Sequence, residues 1–194
     1  RPGHIGPSLA YFDLMGSRFL LHRAAALRVL AALCLFGLLW PALGHAQDHI
    51  LERAYWTDTT GTATLEQARA ARYTSYSGVL SKGYTSSNVW VRLKIRASQE
   101  DDHSDKLILR IRPVYLDEIQ LFDPLDQSHK PRITGDQSSY LTAEYESLTH
   151  TFVIPKINEE RDVFLRLRAT STVLMTVEAL TPDNLLKAEH RMLV

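Results

Sequence analysis

The side chains best equipped for chemistry in this 194-residue chain are Trp90, Arg92, Arg110, Arg112, Arg166 and Arg168. A guanidinium presents a rigid fork of donors that grips a carboxylate through two parallel hydrogen bonds, and an indole face stacks on a sugar ring. All six lie on the non-apolar side of segments in which apolar and polar residues alternate. If those sides line one sheet, they make an aromatic and cationic platform for a small carbohydrate or carboxylate. Tyr115 and Asp117 add a ring and a carboxylate beside them. The candidate ligand-binding set is therefore Trp90, Arg92, Arg112, Tyr115, Asp117 and Arg168. The competing reading pairs the arginines across strands with Asp117, Glu118 or Glu178, where they only solubilise a sheet.

Catalytic constellations are missing from the sequence. There is no Gly-rich phosphate loop and no Gly-x-Ser-x-Gly elbow. His103, His129 and His150 are scattered, and Asp101, Asp102 and Asp105 read as a solvated loop rather than a calcium site. The chain is expected to be non-catalytic and to need no cofactor or metal.

These residues must be positioned by strands. In residues 87–96, Val89, Val91, Leu93 and Ile95 alternate with Trp90, Arg92, Lys94 and Arg96, which gives one core face and one polar, aromatic face. Similar alternation marks residues 106–112, 115–122, 149–154, 162–169 and 173–180. Short strands separated by turns predict an all-β antiparallel sandwich or jelly roll. Two helices flank them. Thr64-Leu65-Glu66-Gln67 is a capping box opening a helix over residues 64–72, and residues 73–87 read as a loop with one edge strand. Thr181-Pro182-Asp183 starts a second helix that runs to Val194 and finds no obvious packing partner in the sequence. The chain is expected to stop as a further element begins.

The start reads as a leader. Arg18, Arg23 and Arg28 precede a 12-residue apolar run, Val29 to Trp40, and Gly44-His45-Ala46 supplies small residues for cleavage. That run is shorter than the roughly 20 residues a membrane span needs. Residues 15–46 are expected to be a signal peptide starting at Met15, with residues 1–14 upstream or fragment sequence. Residues 47–180 would be the exported domain and 181–194 a juxtamembrane helix. Cys34, the one cysteine, sits in the leader, so the exported part would carry no disulfide. The whole chain balances 22 basic against 22 acidic side chains, and from Gln47 onward the net charge is −3. That balance suits an exported soluble domain and speaks against nucleic acid or a polybasic membrane surface.

Six stretches in order carry a resemblance. They are Ala54-Tyr55-Trp56-Thr57-Asp58 with Thr64-Leu65-Glu66; Lys82-Gly83-Tyr84 with Val89-Trp90-Val91-Arg92-Leu93; Tyr115-Leu116-Asp117-Glu118-Ile119-Gln120-Leu121-Phe122; Gly135-Asp136; Thr151-Phe152-Val153-Ile154-Pro155; and Phe164-Leu165-Arg166-Leu167-Arg168-Ala169-Thr170-Ser171. Over residues 54–190 the chain resembles the second, all-β extracellular sensor domain of bacterial seven-transmembrane receptors with diverse intracellular signalling modules. The resemblance implies a jelly roll similar to carbohydrate-binding modules, a periplasmic location, a small-molecule ligand, and membrane helices beyond Val194. It also implies a diguanylate cyclase or histidine kinase output and a homodimer in the intact receptor. One departure stands at residues 138–144, where the family often carries an arginine. The alternative function is a free-standing periplasmic carbohydrate-binding module.

Overall fold

The computed structural model describes residues 48–97, 103–128, 130–136, 144–170 and 172–193. The leader, Asp101, Asp102, His129 and the departing stretch 138–143 lie outside them, so the signal-peptide expectation is not addressed by the fold.

Among the described residues, ten strands form two antiparallel sheets. The first sheet has the order β2 (Thr74–Ser75), β1 (Ile50–Asp58), β4 (Asn88–Ile95), β9 (Arg161–Arg168), β6 (Glu118–Phe122), β7 (Arg132–Thr134). The second has the order β3 (Leu80–Tyr84), β10 (Thr172–Leu180), β5 (Lys106–Arg112), β8 (His150–Pro155). Val89, Val91, Leu93 and Ile95 of β4 face Leu107, Leu109 and Ile111 of β5 and Val173, Met175 and Ala179 of β10 within one core, all fully buried. Period-two alternation is satisfied on both inner faces, and each large aliphatic side chain removed from water contributes about 1.5–3 kcal/mol.

The two sheets are stitched at one corner by the residues leading into β1. His49 N–H donates to the Ala179 carbonyl at 3.0 Å, and Asp48 accepts from Ala179 N–H at 3.0 Å and from Ile50 N–H at 3.1 Å. Arg53 of β1 pairs with Asp48 and donates from Nε and Nη2 to the Val177 carbonyl at 3.2 and 3.1 Å. These contacts occupy the length of β10 that β3 leaves uncovered, since β3 pairs only with Thr172–Met175.

Both outer faces carry a helix. The expected capping box forms at α1 (Leu65–Ala70), where Gln67 N–H donates to Thr64 Oγ1 at 3.3 Å and Thr64 N–H to Gln67 Oε1 at 2.8 Å. The helix α2 (Pro182–Leu193) does have a packing partner, contrary to the expectation from sequence. Leu185 and Ala188 settle on Ile108 and Leu180, the apolar side chains on the outward side of the second sheet. Two further expectations change. Residues 115–117 are not strand, because there the chain crosses from β5 in one sheet to β6 in the other. Residues 73–87 hold two edge strands rather than one, β2 in the first sheet and β3 in the second.

Candidate ligand-contacting surfaces

The six residues expected to make one platform are divided between the two sheets. Trp90, Arg92, Arg166 and Arg168 sit on the outer face of the first sheet, whereas Arg110 and Arg112 sit on the outer face of the second. Alternation along a strand reports which way a side chain points but not which sheet the strand joins.

On the first face, Trp90 is 1% exposed. It stacks on Phe122 with ring centroids 5.3 Å apart and lies in a satellite core with Ala68 and Phe164, flanked by Trp56, Leu65 and Tyr73. The helix α1 therefore covers the ring expected to meet a ligand. Arg92 lies over the Tyr73 ring at 5.0 Å, and burial pushes the Tyr73 hydroxyl up to about 12 against the opposing pull of Arg92. Arg166 donates to the Gly61 carbonyl at 3.0 Å, which also accepts from Asn88 Nδ2 at 2.8 Å. That carbonyl belongs to the loop delivering α1. Asp58, 1% exposed, anchors the same loop by accepting from Thr60 N–H (3.0 Å), Thr60 Oγ1 (2.6 Å), Gly61 N–H (3.1 Å) and Ala63 N–H (3.0 Å). Burial alone would raise its pKa, but these hydrogen bonds outweigh it and hold the carboxyl below its usual value.

On the second face the arginines pair as the competing reading proposed. Arg110, 4% exposed, binds Glu178 at 2.9 Å through Nε and 2.5 Å through Nη2. Arg112 stands 3.5 Å from the same carboxylate, and its Nη1 lies 3.9 Å from Met192 Sδ in the last turn of α2.

Two of the candidate residues do converge, at the end of the sandwich where β9 passes to β10. Arg168, an exposed side chain, pairs with Glu118 at 3.2 Å, and Asp117 accepts from Thr170 N–H at 2.5 Å. A cleft of about 530 Å³ opens there, lined by Tyr84, Thr85, Ser86, Arg168, Ala169 and Thr170. Tyr84 is 83% exposed. Tyr115 is exposed on the adjoining crossover but does not line the cleft. The backbone at this end is fixed by Gly135. Its φ is +147°, and a Cβ there would strike the Asp117 carbonyl, with the carbonyl carbon 2.7 Å and Glu118 Cα 2.9 Å away. Asp136 N–H donates to the Leu116 carbonyl at 2.8 Å. The Gly135-Asp136 pair thus positions the β5–β6 crossover.

Tyr84, Thr85, Ser86 and Thr170 lie outside the candidate set that the sequence offers. The signal for Tyr84, Thr85 and Ser86 is the Ser/Thr/Tyr-rich stretch 73–87, which reads equally well as an ordinary loop, and Thr170 stands just past the alternating run 162–169.

A second and larger cavity, about 770 Å³, runs between α2 and residues 145–148. Among the described residues, no group of three or more His, Cys, Asp or Glu is arranged to hold a metal ion, and no helix is long and apolar enough to cross a membrane.

Compared with known families, residues 52–181 match the family model described as 7TMR-DISM extracellular 2. No curated protein matches the chain.

Proposed function

The chain belongs to the 7TMR-DISM extracellular 2 family, and from that premise we propose that it reads a small ligand at the Arg168 cleft and passes the reading to α2. Membership makes the matched region a non-catalytic, extracytoplasmic sensor domain of a membrane receptor.

The observation that carries the proposal is the β5–β6 crossover. At one end Arg112 touches Met192 of α2, and at the other Asp117 and Glu118 hold Thr170 and Arg168 at the cleft. A ligand that displaces Glu118 from Arg168 would change both partners of that crossover. Tyr84 offers a ring face, Thr85, Ser86 and Thr170 offer hydroxyls, and Arg168 offers a guanidinium. The set suits a sugar or an organic acid. Signalling requires that the ligand bind the two arrangements of α2 with different free energies. Export by the leader, membrane helices beyond Val194, pairing of receptor copies and a diguanylate cyclase or histidine kinase output complete the proposed receptor. A carbohydrate-binding module built on Trp90 has little to recommend it, because that ring lies beneath α1.

The test is a thermal-shift panel of sugars and organic acids on the full chain. A ligand at 100 times its Kd stabilises by about 2.7 kcal/mol. Arg168→Ala should weaken a hit about tenfold, the worth of roughly 1.4 kcal/mol from one charge-assisted contact. A hit that binds Arg168→Ala and wild type alike would place its site elsewhere.

A further inference from the structure

The cavity along α2 has a different chemistry from the Arg168 cleft. Its apolar surface comes from Tyr145, Leu148, Leu185 and Leu186. Leu148 and Leu186 are 60% and 58% exposed, so apolar side chains stand open at its mouth. Among the described residues, its charged lining is Glu146, Asp183 and Glu189, with His190 as the only basic residue and no lysine or arginine. Glu189 is engaged, accepting from Ser147 Oγ at 2.5 Å and Leu148 N–H at 3.2 Å. Glu146 and Asp183 are exposed and form no ion pair with any described residue. The start of α2 offers little to an anion. Pro182 has no N–H, Asn184 N–H turns to Thr181 Oγ1 at 3.4 Å, and Leu185 N–H is bound to the Thr181 carbonyl at 2.9 Å. The Lys106 ammonium lies over the Tyr145 ring at 5.8 Å, so that ring already meets a cation.

An apolar trough of this volume falls in the usual range for small-molecule sites. Carboxylates at its rim select the sign of charge that the occupant carries. We propose that this groove is a second binding site, for organic cations: an amine with an apolar body. The apolar part would lie along Leu148, Leu185 and Leu186, and the ammonium would reach Glu146 and Asp183. A ligand held this way bridges α2 to the segment preceding β8 and fixes the helix against the sheet.

The use of such binding in signalling rests on the sensor reading above, but the binding itself does not. The probe is octylamine, with octanoate as the matched anion, followed by calorimetry and thermal shift on the full chain below the micellar range. Octylamine should bind and raise Tm, and octanoate should not. Glu146→Gln with Asp183→Asn together should weaken octylamine about tenfold, and Leu186→Lys, which sets a cation in the mouth, should abolish its binding. All three side chains are exposed, so without ligand the variants should fold as the wild type does, with only the small loss expected from removing the Asp183 charge from the first turn of α2. Equal stabilisation by octanoate, unchanged affinity in the double variant, or no octylamine binding at millimolar concentration would each overturn the proposal. Normal octylamine binding beside a sugar or acid hit that ignores Arg168 would retain this site and remove the Arg168 reading.

Discussion

The two outer faces of the sandwich are each covered by a helix, and they are covered in opposite ways. The shorter helix, α1, has six residues, yet it is fixed by a buried carboxylate accepting four hydrogen bonds, a carbonyl gripped by Asn88 and Arg166, a capping box and an aromatic cluster. The longer helix, α2, has twelve residues and rests chiefly on Leu185 and Ala188, with Glu189 reaching Ser147 and Arg112 reaching Met192. Length does not decide which element is held. Buried apolar area and satisfied polar groups do, and the sparsely held element is where a sensor can move at low free-energy cost.

Three substitutions break or sharpen that contrast, the largest first. Trp90→Ala removes the centre of the α1 cluster, and a buried aromatic truncated to alanine costs about 3–5 kcal/mol. Urea denaturation should show that loss globally, because α1 cannot detach without exposing Phe164 and Phe122 as well. A loss below about 1 kcal/mol would mean the first face is no better held than the second. Asp58→Asn should cost about 2 kcal/mol by weakening hydrogen bonds to a charged acceptor. Asp58 also gives a pH signature. Its folded pKa lies below the ordinary value of 3.8, so its stabilisation is present above about pH 4 and is lost as pH falls through the lowered folded value. The acid limb of wild-type stability should therefore be steeper than that of Asp58→Asn. An identical limb in both proteins would remove Asp58 as its source.

Leu185→Ala should give the smallest global effect, about 1.5 kcal/mol, less than the usual range for a buried leucine. The helix can undock before the sandwich unfolds, which caps the loss. Hydrogen exchange is the sharper readout, with amides of α2 exchanging faster while those of β4 and β9 stay protected. Faster exchange in β4 would show that α2 is as integral as α1.

How much of this was legible in the sequence follows from what each pattern encodes. Period-two alternation located β4, β5, β9 and β10 to within a residue or so, because one face of each must enter the core. The capping box located α1 because it is a local device. Alternation does not assign β5 to the second sheet, so on pattern alone Arg110 and Arg112 fall together with arginines that lie on the outer face of the first. Nor could it show that Trp90 on a polar face is buried, since the cover comes from a helix some 20 residues upstream. Ile108 and Leu180 carried the hidden signal for α2, as apolar residues on an outward face that need a cover. The three-residue β7, with one exposed isoleucine at its centre, had no pattern to read.

The corner where Asp48, His49 and Arg53 meet Val177 and Ala179 has a mechanical meaning. Force arriving through α2 enters β10 at Leu180, and β10 is tied there to β5 on one side and to the lead-in of β1 on the other. Its bonds to both neighbours therefore share that load. A tug on the helix is thus shared between the two sheets at once, and the sandwich acts as a stiff anchor block against which the helix works as the lever.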